Sequence, residues 1–153
     1  MSVDAHHHVV PPLASRGRLL MSESELVHWG EQLGAGAHAP LLIALSGELG
    51  AGKTTLAQAI CRGYGVTQQV TSPTYSIVQE YLAPRSVVFH IDLYRLERES
   101  DLEQIGWDDI MGSNALVIVE WPERAGAQLP TNHVPIALDY APDAPDRRIL
   151  FAG

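Results

Sequence analysis

Residues 47–54 read Gly-Glu-Leu-Gly-Ala-Gly-Lys-Thr, with the spacing G-x-x-x-x-G-K-T, directly after the apolar run Leu41-Leu42-Ile43-Ala44-Leu45. The chemistry of that spacing is phosphate binding. Glycines let the backbone curl until successive N–H groups point inward at α- and β-phosphates, and the next helix begins there with its positive dipole end. Lys53 would reach the β- and γ-phosphates, and the Thr54 hydroxyl would ligate Mg2+. A β-type run before the motif and the helix-type run Thr55-Leu56-Ala57-Gln58-Ala59-Ile60 after it set it apart from a chance Gly-rich turn.

Phosphoryl chemistry on such a loop needs a carboxylate at the tip of a neighbouring strand, because metal and attacking water must be held beside the γ-phosphate. The sequence offers two: Val87-Val88-Phe89-His90-Ile91 ends in Asp92, and Leu116-Val117-Ile118-Val119 ends in Glu120. In open α/β sheets ligands sit at the carboxyl ends of strands, so both acids point at the edge that carries the loop. One would hold the Mg2+ shell and the other would orient or deprotonate water; the residues themselves allow either assignment. Tyr94 and Arg95, just beyond Asp92, are candidates for packing or for sensing the γ-phosphate. Ser72-Pro73-Thr74-Tyr75 is a hydroxyl-rich turn at the chain position where switch-type NTPases supply a hydroxyl to Mg2+, and equally an ordinary proline turn.

The elements that must carry these residues follow from periodicity and punctuation. Ser22 and Glu25 have the spacing of a capping box before Leu26, Val27, Trp29 and Leu33, an apolar helix stripe that Gly34 and Gly36 stop. Residues 40–46 and 115–119 are unbroken apolar strands suited to a sheet covered on both faces. Between them lie a helix over residues 53–62, a hairpin of strands 76–81 and 86–91 turning at Ala83-Pro84-Arg85, an acidic helix-compatible segment 97–104 and a short helix 107–111. Late strands are expected at 134–140 and 147–151. The fold class is therefore α/β, with the three layers of a P-loop NTPase, a largely parallel central sheet and antiparallel additions. Residues 20–153 form this domain. Residues 1–19 read as a flexible leader, in which His6-His7-His8 has no further ligand nearby to close a metal site.

Composition narrows the partners. The 153 residues are 46% apolar and 18% charged, ordinary for one globular domain. With 10 Lys and Arg and a net charge of −8, the surface is poorly suited to gripping nucleic acid by itself, so stable DNA binding is not expected and any nucleic acid involved in the function would be held by another protein. A single cysteine, Cys61, suits a reducing cytoplasm and reads as a packed core thiol. No apolar segment has the length or flanks of a signal peptide or membrane span.

Taken in order, Gly47 to Thr55, Ser72-Pro73-Thr74-Tyr75, His90-Ile91-Asp92-Leu93-Tyr94-Arg95-Leu96 and Val119-Glu120-Trp121-Pro122-Glu123 closely resemble the TsaE family, also written YjeE. The resemblance covers roughly residues 20–140. It implies a bacterial P-loop ATPase that works with the TsaD and TsaB proteins to form threonylcarbamoyladenosine beside the anticodon of tRNAs reading codons that begin with A. It makes Glu48, Leu49, Gly50, Ala51, Gly52, Lys53, Thr54 and Thr55 the ATP phosphate loop, Thr54 a Mg2+ ligand and Thr74 the switch-like hydroxyl. Asp92 resembles the Walker B acid, Glu120 the second acid near metal and water, and Trp121 the tryptophan that follows it. Ser22 and Glu23 are similar to a segment that passes near the adenine. The longer leader, the short segment after Tyr140, and Ser76-Ile77 in place of Thr-Leu depart from the family pattern.

Two other functions fit a P-loop. A small-molecule or nucleoside kinase would need an acceptor pocket and usually an Arg-rich lid, where residues 96–114 are acidic instead. A nucleotide-gated binding module would bind its partner without needing hydrolysis.

Overall fold

The computed structural model describes residues 18–69, 77–145 and 147–152. The Ser72 to Tyr75 turn, Thr74 included, and the three histidines of the leader lie outside the described residues.

The chain enters through β1 (Arg18–Ser22) and turns into α1 (Glu23–Gly36) at a reciprocal cap. The Glu25 amide donates to Ser22 Oγ at 3.3 Å, and the Ser22 amide donates to Glu25 Oε1 at 2.8 Å, so two otherwise orphaned donors are satisfied together. Arg18 and Leu19, expected in the leader, belong instead to β1, because Leu19 and Met21 turn toward the core while Arg18 and Leu20 face solvent. The chain continues through β2 (Leu41–Gly47), α2 (Lys53–Tyr64), β3 (Val78–Leu82) and β4 (Val87–Asp92). A 3-10 segment (Glu99–Ile105), α3 (Trp107–Met111) and β5 (Leu116–Glu120) follow, then a second 3-10 segment (Pro122–Gln128), β6 (Val134–Tyr140) and β7 (Arg147–Ala152). The acidic stretch thus coils as 3-10 rather than α.

The seven strands of the described residues join one sheet in the order β1-β7-β6-β2-β5-β4-β3. The middle four run parallel: β2 pairs with β5 and β6, and β4 with β5. β3 returns antiparallel on β4 as the expected hairpin, and β7 and β1 extend the other edge antiparallel. Every residue of β5 is buried, as a central strand covered on both faces requires.

Alternation divides the core in two. Ile43, Leu45, Leu116 and Ile118 pack against Leu26, Trp29 and Leu33 of α1 and Leu56 and Ile60 of α2. Leu42, Ile91, Val117 and Val119 turn to the opposite face, covered by Leu102, Trp107, Ile110 and Ala125. The two helices approach so closely that a Cβ on Gly34 would strike the Ile60 carbonyl and lie 2.8 Å from the Tyr64 nitrogen. That approach seats α2 firmly on the sheet and fixes where its first turn, with Lys53 and Thr54, meets the strand ends.

Candidate nucleotide site

Register brings the site together before any side chain is considered. Leu45, two residues before the loop, pairs with Glu120, and Glu120 pairs on its other side with Asp92. The ends of β2, β5 and β4 therefore lie side by side, and the loop leaving β2 arches over both acids. The loop turns back on itself through the Ala51 amide bonded to the Glu48 carbonyl at 3.1 Å. Gly50 and Gly52 have φ of 81° and 107°, a left-handed backbone that a residue with a Cβ resists. With Gly52 as its N-cap, α2 presents its first amides without side-chain partners, which leaves them free for an anion.

A cleft of about 280 Å3 opens there, lined by Leu49, Gly50, Gly52, Lys53, Thr54 and Thr55 of the loop and by Asp92, Tyr94, Glu120 and Trp121. Of the predicted residues, Glu48 and Ala51 contribute backbone rather than lining.

Lys53 is buried, and its Nζ donates to the carbonyls of Gly47 at 2.5 Å and Glu48 at 2.9 Å. The same ammonium sits 4.2 Å from the centre of the Trp121 ring. Burial holds its pKa below the ordinary lysine value, opposed by the charges of Glu120, Asp92 and Glu123. Thr54 Oγ1 stands 3.3 Å from both oxygens of the Glu120 carboxylate, a long shared contact rather than a strong bond. Asp92 accepts the Tyr94 amide on Oδ1 at 3.0 Å, and burial pushes its pKa up, helped by the Glu120 charge. Thr54, Asp92 and Glu120 together form an all-oxygen set of the kind that suits Mg2+ completed by phosphate oxygens, and the glycine loop at a helix N-terminus suits the phosphates themselves.

Sequence reasoning did not single out three further contacts. His90 Nε2 lies 2.6 Å from Glu120 Oε2 with its ring wholly buried. Its signal was a polar residue inside an apolar strand, two positions before Asp92 and hence on the same face. Tyr140, at the end of β6, donates its hydroxyl to the Leu49 carbonyl at 2.7 Å and ties the loop tip to the sheet. Trp121 holds φ at 58°, uncommon for a bulky residue, and thereby turns its ring over Lys53 and to within 5.0 Å of Tyr94.

The family model for the threonylcarbamoyl adenosine biosynthesis protein TsaE matches residues 20–149. The chain belongs to the TsaE family. It is 38% identical to the TsaE protein of Haemophilus influenzae over 104 residues, which is 68% of this chain and 66% of that one. The TsaE protein of Bacillus subtilis matches at 37% over 72% of this chain and 68% of its own length. That of Treponema pallidum matches at 30% over 86% of this chain and 96% of its own. The segment similar to the first two relatives thus spans about two thirds of their length. The crystal structure of YdiB from Bacillus subtilis superposes with a TM-score of 0.72 at 27% identity, covering 89% of this chain and 85% of that one. The Haemophilus, Bacillus and Treponema TsaE proteins are named as tRNA threonylcarbamoyladenosine biosynthesis proteins, and the TsaE resemblance in the motifs and the expected α/β fold are both borne out.

Proposed function

We propose that this chain is a Mg2+-dependent ATPase that assists a TsaD and TsaB complex in forming threonylcarbamoyladenosine on tRNA, acting in the cytoplasm. The observation that carries the ATPase is the meeting of Thr54, in the first turn after the loop, with both oxygens of the strand-end acid Glu120, beside Asp92. The family membership supports the pathway, and the net charge of −8 supports contact with tRNA only through the partners. No described helix is long and apolar enough to cross a membrane.

Lys53 would leave the Gly47 and Glu48 carbonyls for the β- and γ-phosphates, while the amides of the Gly50 to Thr55 stretch bind the α- and β-phosphates. Thr54 and Asp92 would hold the metal, with Glu120 close enough to share in that shell. Bound Mg2+ would offset charge on the transferring phosphoryl group. Glu120, buried and already facing the cleft, would orient the attacking water and accept its proton. Catalysis would be electrostatic, with slow turnover by the chain alone, since a partner would complete the site.

Thin-layer separation of products from γ-labelled ATP tests this reading. Free phosphate is expected, in greater yield when TsaD and TsaB are present. A labelled organic product would make the protein a kinase instead.

A further inference from the structure

We propose that His90 is a positioning residue whose Nε2–H holds the Glu120 carboxylate facing the Thr54 hydroxyl and the cleft. The inference rests on the ATPase reading and assigns the water-orienting role to Glu120 rather than Asp92.

His90 projects from the middle of β4 onto the face covered by α1 and α2, where its neighbours Val88 and Ile118 are fully buried hydrophobics. At that position a leucine would satisfy packing without burying any polar atom. The imidazole instead spends its Nε2 on Glu120 Oε2, at 2.6 Å, and leaves Nδ1 without a partner among the described residues. The unpartnered Nδ1 locates the proton. A buried N–H with no acceptor is costlier than a bare ring nitrogen, and facing an ionised carboxylate an unprotonated Nε2 would set two lone pairs against each other at this separation. The proton therefore sits on Nε2 and is donated to the carboxylate.

One consequence is geometric. With Oε2 held by a ring that cannot move inside the core, the carboxylate keeps one orientation, in which Thr54 Oγ1 meets both its oxygens. A second is that the ring gives one oxygen of a carboxylate only 2% exposed a partner inside the core, where water does not reach it. Asp92 has no such side-chain anchor among the described residues; it accepts the Tyr94 amide and is half-buried. The two acids are thus inequivalent, and the fixed one is Glu120.

The test compares wild type with His90→Leu, which fills the space without a donor, and His90→Gln, whose amide nitrogen reaches about as far as Nε2. Steady-state ATP hydrolysis and melting temperature are measured for each, and the ring nitrogens of the wild type are read by 15N NMR without nucleotide. His90→Leu should lose about tenfold or more in kcat, as supporting donors of this kind do, with KM within about threefold. His90→Gln should regain most of that loss, and NMR should find Nε2 protonated. Should His90→Leu not fold, His90→Asn replaces it, since its amide falls near the Nδ1 position and out of reach. Wild-type kcat in His90→Leu, a His90→Gln as slow as His90→Leu while both melt like wild type, or a proton on Nδ1 alone overturns the inference. A wild-type chain that releases no phosphate would instead overturn the ATPase reading, and the NMR result would still decide the His90–Glu120 bond.

Discussion

The ammonium of Lys53 rests 4.2 Å from the centre of the Trp121 ring while donating to two carbonyls of its own loop. The residue proposed to grip phosphate is thus satisfied internally, and a bound nucleotide would have to replace those contacts. Trp121 lines the cleft, whereas Trp29 and Trp107 are buried in the two cores. Withdrawing a cation from an indole face alters its emission. Titration with Mg2+ and ATP should change the tryptophan fluorescence, and Trp121→Phe should abolish the change. A response that survives in Trp121→Phe would mean that the lysine does not leave the ring.

Glu120→Gln keeps the shape at the end of β5 and an acceptor for His90, but removes the charge that would take a proton from water. Hydrolysis should fall about a hundredfold in kcat with little change in KM, the pattern of an interaction made in the transition state. Steady-state kinetics at saturating Mg2+ measures both.

Burial raises the Asp92 pKa in the folded protein, so the folded state binds its proton more tightly than the unfolded chain does. Stability is then unaffected below the ordinary aspartate pKa, falls as the pH rises through it toward the raised folded value, and stays reduced above. Asp92→Asn should therefore raise the melting temperature at neutral pH in EDTA, with the gain vanishing near pH 3. The same variant should lose activity, since strain of this kind belongs to a working site. A neutral-pH melting temperature that does not rise would contradict the burial cost.

Gly34→Ala would drive a methyl group into the backbone of α2 at Ile60 and Tyr64. Overpacking against main chain that cannot yield should cost about 2 kcal/mol or more in urea unfolding. Because α2 carries Lys53 and Thr54, ATP binding should weaken as well. Cys61, fully buried with its thiol pKa pushed up to about 12, should resist alkylation until the protein unfolds.

Most of this architecture was legible because local and global signals agree. Two unbroken apolar runs became the central parallel strands β2 and β5, the Ser22 and Glu25 spacing became a capping box, and two strand-end acids met the loop because parallel register leaves no other edge for them. Long-range contacts were not legible. β1 is short and amphipathic and gains its identity only by pairing with β7, 125 or more residues later in the chain, as in Arg18 opposite Phe151. His90 reads as a motif letter until β4 and β5 lie in register, and Tyr140 meets Leu49 only across the folded sheet. The left-handed backbone at Trp121 has no marker in a bulky residue.

ATP turnover at this loop is proposed to serve tRNA modification. Formation of threonylcarbamoyladenosine by purified TsaD and TsaB, with substrates and tRNA supplied, should proceed through repeated rounds when this chain is added and stop early when Lys53→Ala replaces it. Equal yields from wild type, Lys53→Ala and no added chain would contradict the account.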